Sequence, residues 1–409
     1  MSHTSRELDV ARWLTSPDAD SYLADSSLAT PTPARVAQLR RTLAADQVSA
    51  LLTQAQLRVK ARSKFPHTEQ LFFTHLGLEQ ATDATTAAYK ARRFPPDHPI
   101  ADLCCGVGGD ALALAHRAPL ALVDSDPVSA HFATTNIQRH SGCVPRVFPQ
   151  AIDASQLQDV HAWHIDPDRR PQGRRTTTPE LHSPGVEEID DLRRGSPNVA
   201  IKLAPAAKVP QHWLEQAEAE WIACDGTCRA LILWFGSLTS APGTRRATLL
   251  HARRHPNGQL LLPDPYLDCQ HTLTAADVGP RASVAPLGRY VYDPHPALVA
   301  ARLVDHLAHQ FQLTRWHRDH AYLTSDQCVS IPGLAAFQVI DVLPIDLKQL
   351  KTYLAAHRIG QLELKQRGAE LDLQRLARQL AGAGDQTAVI LFAENNSGRA
   401  AVIARRVTS

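Results

Sequence analysis

The stretch that most constrains this chain runs from Pro99 to Asp124, PIADLCCGVGGDALALAHRAPLALVD. A short apolar approach reaches Asp102, and a Cys/Gly-rich corner follows from Cys104 to Gly109. An Ala/Leu pattern of helical spacing comes next, then a second apolar run, Leu120 to Val123, that stops at Asp124. Strand, tight turn, helix, strand is the opening unit of a nucleotide-binding α/β sheet. Gly106, Gly108 and Gly109 let the backbone approach a ligand closely, and the helix after them begins with free amides that face it. Asp124 stands 22 residues past Asp102, about where such folds place the carboxylate that accepts from ribose hydroxyls.

Two cofactor chemistries fit this corner. Gly106, Gly108 and Ala111 satisfy the G-x-G-x-x-G/A pattern for NAD, which keeps a nicotinamide oxidoreductase open. Against it stands Asp102 at the strand tip, where a dinucleotide places pyrophosphate that a carboxylate repels at short range. S-adenosylmethionine (SAM) offers an ammonium there instead. The stretch resembles motif I of class I SAM-dependent methyltransferases. That resemblance puts Asp102 in the acidic position and Gly106 and Gly108 at the second and third glycines, with Cys104 in place of the first.

A chain of 409 residues has room for two or three domains, each with ample core. We expect a helical N-terminal region over 1–96, an α/β, Rossmann-like SAM-binding domain over 97–285 and an α+β domain over 286–409. No apolar run approaches bilayer length, and the first residues lack a basic-then-apolar export pattern. Seven cysteines, two of them adjacent, form no disulfide framework and suit a reducing cytoplasm. Eight of the 43 basic residues are Lys. Arg suits phosphate forks, but a GC-rich genome gives the same bias.

Along the N-terminal region, apolar residues recur at helical spacing from Ala34 to Ala61. Arg58, Lys60, Arg62 and Lys64 then form either a solvated basic face or a phosphate-contacting entrance. The next helix ends in Lys90, Arg92 and Arg93, which suits the helix dipole; nothing there looks catalytic. After Asp124, VPRVFPQAIDASQL offers a third strand ending near Asp153, a position that in SAM enzymes often receives the adenine amino group.

The second strong motif is AWHIDPDRR, Ala162 to Arg170. An apolar strand delivers Asp166 and Pro167 to the carboxyl edge of the sheet, where open α/β folds bind ligands. Class I methyltransferases carry motif IV there, against the substrate group beside the transferring methyl. Asp166 is then placed to accept a proton or orient the nucleophile, and Arg169 and Arg170 to hold substrate phosphate. Lys202, in the buried strand PNVAIKLAPA, reads as an end residue snorkelling outward. Alternatively it resembles the ribose 2′-O-methyltransferase lysine that faces the motif IV Asp. EWIACDGTCRALILWFGSL reads as one strand, and Asn257-Gly258 as a hairpin turn.

Metal chemistry is not expected. Cys224 and Cys228 lack a second pair at zinc spacing, and the His251/His255 and His317/His320 pairs lack carboxylate partners at a recognised spacing. Pyrimidine C5 methylation generally needs a Cys nucleophile, and none adjoins Asp166 and Pro167. Direct displacement by nitrogen or oxygen fits better.

Together DLCCGVGGD, HIDPDRR, PNVAIKLAPA and the terminal YVYDPHPALVAA, IGQLELKQRG and VIARR resemble bacterial class I methyltransferases with a C-terminal THUMP-like domain. The resemblance implies SAM as cofactor, and THUMP domains suggest RNA, either rRNA or tRNA, as partner. A methyltransferase of protein or small molecules is the alternative, as is a non-catalytic RNA-binding protein with a structural SAM fold.

Overall fold

In the computed structural model the chain enters through helices, several of which owe their starts to local capping. These are α1 (His3–Leu14), α2 (Pro17–Leu23), α3 (Pro33–Leu39), α4 (Ala45–Ala61), α5 (His75–Gln80) and α6 (Ala84–Ala91). The structure describes residues 3–170, 173–264, 268–276, 278–368, 370–395 and 398–407. Thr32, Thr74 and Asp83 each accept from a backbone amide at the head of their helix, and Pro33 takes the first helical position. The Ala34–Ala61 pattern is two helices, because the Gln47 side chain caps the Ala44 amide and restarts the helix there.

The helices bury their apolar faces against the glycine corner. Leu51, Leu57, Phe65 and Phe72 share one core with Val107 of the corner and Phe132 of α8 (Pro127–Ser141) once α7 (Ala111–Leu114) is passed. Asn136 of α8 fastens the joint. It accepts from the Phe72 amide at 2.7 Å and donates to the carbonyls of Phe72 and Val107, each at 2.9 Å. The whole of Met1–Thr272 is one compact unit, and Leu273–Ser409 is a second.

The sheet of the first unit holds β1 (Ile100–Leu103), β2 (Leu120–Val123), β3 (Arg146–Phe148), β4 (Ala162–Ile165) and β5 (Val199–Leu203), with α9 (Val186–Gly195) before the last of these. After α10 (Gln211–Gln216) come β6 (Glu218–Cys224), β7 (Thr227–Trp234), β8 (Arg245–Leu250) and β9 (Cys269–Ala275). Their order is β3-β2-β1-β4-β5-β7-β6-β8-β9. Pairing is parallel from β3 through β5, and β7 runs antiparallel to both its neighbours. Central strands are wholly buried, which is why they read as unbroken apolar runs.

Three sequence expectations change. The single strand expected over Glu220–Leu238 is the β6–β7 hairpin, turned by Asp225 (φ +49°) and Gly226 (φ +77°), an Asp-Gly pair suited to positive φ at both positions. The third strand stops at Phe148, well short of Asp153, because the segment's Pro149 has no amide to donate to a ladder. The Asn257-Gly258 turn is present, yet its flanks make only an isolated bridge between Arg254 and Leu260.

The second unit is α+β. Its elements are β10 (Tyr290–Pro294), α11 (Pro296–Ala300), α12 (Val304–Gln310), β11 (Thr314–Arg315), β12 (Leu323–Ser325) and β13 (Leu334–Pro344). They continue with α13 (Leu347–Ala356), β14 (Ile359–Arg367), α14 (Leu373–Leu380), β15 (Gln386–Asn395) and β16 (Gly398–Arg406). The order is β11-β12-β10-β13-β16-β15-β14, with β14 and β15 parallel around α14. Alternation along β15 sets the two faces: Ile390 and Phe392 pack under Leu350, Leu354 and Leu380, whereas Val389 and Leu391 join Tyr322 and Phe337. No helix among the described residues is long and apolar enough to cross a membrane.

Candidate active site

Sheet register assembles the site. Parallel pairing sets Asp102 of β1 directly opposite His164 of β4, and His164 shares its sheet face with Asp166, two residues on. On the other side β4 pairs with β5, with Ile165 opposite Ile201; one step further Lys202 meets Asp166. Lys202 Nζ donates to Asp166 Oδ2 in a short, charge-assisted hydrogen bond. Lys202 is 13% exposed and Asp166 35%, so the pair opens to solvent on the carboxylate side.

The corner next to this pair is held in a left-handed shape. Cys104 (φ +54°), Gly106 (φ +55°) and Gly108 (φ +88°) all have positive φ, so Cys104 adopts the backbone of the glycine it replaces. A Cβ on Gly108 would stand 3.3 Å from Cα of Ala133 in α8, whereas one on Gly106 would meet nothing within 4 Å. The Gly106 amide donates to Asp124 Oδ2 at 2.7 Å and the Asp126 amide to Asp124 Oδ1 at 2.9 Å. Burial pushes the Asp124 carboxyl up, and these two amides pull against it.

Behind the pair lies a buried ionic cluster. Asp102 Oδ1 and His164 Nδ1 are 2.7 Å apart, both groups nearly inaccessible. His164 Nε2 lies 3.3 Å from Lys90 Nζ and 3.6 Å from Asp110 Oδ2. Lys90 Nζ is 2.5 Å from Asp110 Oδ1, the Thr82 hydroxyl donates to Asp110 Oδ2 at 2.6 Å, and Lys202 Nζ stands 4.0 Å from that oxygen. Burial works against ionised Asp110, but Lys90, His164 and Lys202 hold its carboxyl well below the usual range. Burial also pulls the Lys202 ammonium down, yet Asp166 and Asp110 outweigh it and keep the group above the ordinary lysine value. For Lys90 burial wins and lowers it. Lys202 is therefore held in its charged form beside Asp166.

These residues fit a cationic nucleoside. Asp102 Oδ2 is buried without a hydrogen-bond partner in the chain, which leaves an uncompensated acceptor in the interior. The space beside Gly106 is open, and Asp124 is braced at the neighbouring strand end.

The remaining sequence candidates are placed as follows. Asp153 is exposed and caps a short 3₁₀ turn, accepting from the Ser155 amide at 2.7 Å. The Cys104 and Cys105 thiols are pushed far up by burial, first of all, and then by neighbouring aspartates, which disfavours their thiolate forms. Pro167 is buried; after it Asp168 pairs backbone to backbone with Ser183, closing the Arg-rich loop on itself. Arg169 is half-buried, with Asp166, Asp168, Arg170 and Arg175 as its charged surroundings. Arg170 Nε is buried without a partner in the chain. Pro171 and Gln172 lie outside the described residues.

Of the basic run before Phe65, half is structural. Arg58 donates to the Leu71 carbonyl at 3.0 Å, and Lys64 Nζ donates to the carbonyls of Leu78, Glu79 and Ala81, which caps α5. Lys60 and Arg62 are exposed and line a cavity of about 350 Å³ with Asn257 and Gly258. The sequence analysis missed His164, Asp110 and Lys90. Signals existed: His164 precedes Asp166 by one strand period, and Lys90 shares a helix face with Thr86 and Ala87.

Residues 334–406 match the THUMP domain-like family. An uncharacterized SAM-dependent methyltransferase of Mycobacterium tuberculosis, found in two strains, is 29% identical over 335 residues, covering 80% of this chain and 86% of the relative. A Porphyromonas gingivalis crystal structure assigned provisionally to the methyltransferases aligns over 99% of both chains with a TM-score of 0.73 at 19% identity, a likeness of fold. Over most of its length the chain is similar to SAM-dependent methyltransferases. In this chain the sheet order sets the glycine corner after β1 beside the Asp166 edge after β4. The THUMP-like match falls wholly within the second unit.

Proposed function

We propose that this methyltransferase acts on RNA, either rRNA or tRNA, at a nitrogen or oxygen atom held against Asp166. The observation that carries the reading is the Lys202–Asp166 pair at the carboxyl edge, beside a glycine corner and an unpartnered acidic oxygen on Asp102. Bound SAM supplies the methyl group as an electrophilic sulfonium. Asp102 would face its cationic end, the Cys104–Gly108 backbone would cradle it, and Asp124 would accept from ribose hydroxyls. Asp153 would receive the adenine amino group.

Asp166, fixed by Lys202, accepts a hydrogen bond from the target atom and aligns its lone pair for in-line attack, so catalysis comes mainly from alignment. Pro167 stiffens the turn that presents it. Arg169 and Arg170 hold substrate phosphate, and the THUMP-like match supports an RNA partner. We place the reaction in the cytoplasm, since the cysteines are carried free.

The test is incubation with methyl-labelled SAM and separated RNA, protein and metabolite fractions. Label should enter RNA with wild type and not with Asp166→Ala; label confined to another fraction rejects the RNA reading.

A further inference from the structure

Among the described residues of the first unit, one deeply enclosed ionisable group beside the site is left unused by the proposed chemistry. The His164 ring is 1% exposed. Charged groups face it from every packed element: Asp102 from β1, Lys90 from α6, Asp110 from the head of α7, and Lys202 from β5, which reaches Asp110 and carries Asp166. We propose that His164 positions the methyl-donor acid relative to the acceptor pair, and that the Asp102–His164 pair gives up one proton when the cationic end of SAM binds beside it. The proposal rests on the reading of this site as a SAM site, though not on RNA as substrate.

The argument is one of charge. Lys90 is an ammonium donor to Asp110, and it can also donate to His164 Nε2 only if that nitrogen carries no proton. The neutral ring then carries its proton on Nδ1 and donates to Asp102. In that state the cluster holds three carboxylates, Asp102, Asp110 and Asp166, against two ammonium groups, Lys90 and Lys202. Lys90 is paired with Asp110 and Lys202 with the solvent-open Asp166, so buried Asp102 is left without a cation of its own, beside its unpartnered Oδ2. Buried unpaired charge is costly. Two things remove it: a proton shared by the pair, or a cation beside Oδ2. Burial pushing the Asp102 carboxyl up is what the first requires. The two compensations exclude one another, so ligand and proton compete.

The same competition explains how the two halves of the site communicate. With the proton on the pair, a doubly protonated ring offers Nε2–H to Asp110 and repels Lys90. With a cation at Oδ2, the ring accepts from Lys90 and does not compete for Asp110, which stays bonded to Lys90 and within 4.0 Å of Lys202, the cation that donates to Asp166.

Proton release is read by calorimetry of full-length protein in buffers of differing ionisation enthalpy, with SAM and with adenosine as the uncharged probe. We expect about one proton released per SAM bound at the pH where the free pair is protonated, and none for adenosine. SAM affinity should rise with pH by up to ~10-fold per unit across that window. Asp102→Asn should abolish the release, and His164→Gln should shift its pH window while the protein remains folded by circular dichroism.

If either variant fails to fold, the wild-type comparison of SAM with adenosine decides alone. SAM binding without proton release, equal release with adenosine, or no SAM binding at all overturns the proposal. Proton-linked SAM binding with no label in RNA supports it while sinking the RNA reading, and RNA methylation with no proton release does the reverse.

Discussion

Lys202 and Asp166 share one hydrogen bond but should fail differently when altered. Asp166→Asn keeps the shape and loses the acceptor, so kcat should fall by ~10²–10⁴-fold, the usual size of a lost acid–base group, with SAM affinity nearly intact. Lys202→Met leaves Asp166 free to rotate and Asp110 short of one counter-charge. It should lower kcat and also reduce stability, by ~1–3 kcal/mol for a buried group left short of its partner. Single-turnover rates and urea melts of both variants separate the roles; equal stability loss in the two would contradict them. Cys104 makes the opposite prediction. Its thiol is held far above its ordinary value by burial, so iodoacetamide at pH 8 should leave it unmodified in the folded chain. Cys104→Ala should retain turnover within a few-fold. A large loss would revive covalent catalysis.

Elements decide which substitutions the corner tolerates. Gly106 and Gly108 both have positive φ, and an L side chain there costs ~1–2 kcal/mol. Gly108 adds a collision with the α8 backbone at Ala133, whereas Gly106 has open space. Gly108→Ala should therefore unfold at distinctly lower urea than Gly106→Ala. Gly106→Ala should instead fail mainly in SAM affinity, because its new methyl occupies the cradle. Urea melts and SAM titrations of both variants check the split.

The corner itself was legible in sequence, since strand, glycines and helix follow each other within a few residues. So was the Asp166 edge, and Lys202 could be suspected from a lone charge in an apolar strand. What sequence did not reveal was the ionic cluster. Lys90, Asp110 and His164 come from α6, α7 and β4, and only the sheet register brings them together. Lys90 at a helix end looked like a dipole partner because its neighbours Arg92 and Arg93 do suit one. The β6–β7 hairpin was missed because its two strands form one continuous apolar run on either side of Asp225-Gly226.

At the scale of the molecule, the acid response should begin in the first unit. There Arg93 of the loop after α6 grips Glu218 of β6 at 2.7 Å, with Arg246 of β8 at 2.8 Å, and Tyr89 donates to Glu220 at 2.7 Å. These contacts fasten α6, and with it Lys90, to the hairpin. Burial opposes ionised Glu218, but Arg93 and Arg246 lower its carboxyl from 4.5 to about 2. A depressed folded value means stability that is whole above about pH 4.5 and is lost as pH falls through about 2. The contribution is on the order of 3 kcal/mol at neutral pH. Glu218→Gln leaves both arginines short of a charge, so it should be less stable than wild type at pH 7 by a similar amount. As pH falls from 4.5 toward 2, wild type alone loses the ion pair, and the gap between the two should close. Tryptophan fluorescence is a suitable probe, because Trp163, Trp213, Trp221 and Trp234 are buried in the first unit and the second contains Trp316. Urea midpoints at pH 7, 4.5 and 3 give the answer: parallel curves for wild type and variant would show that Glu218 is not what the acid removes.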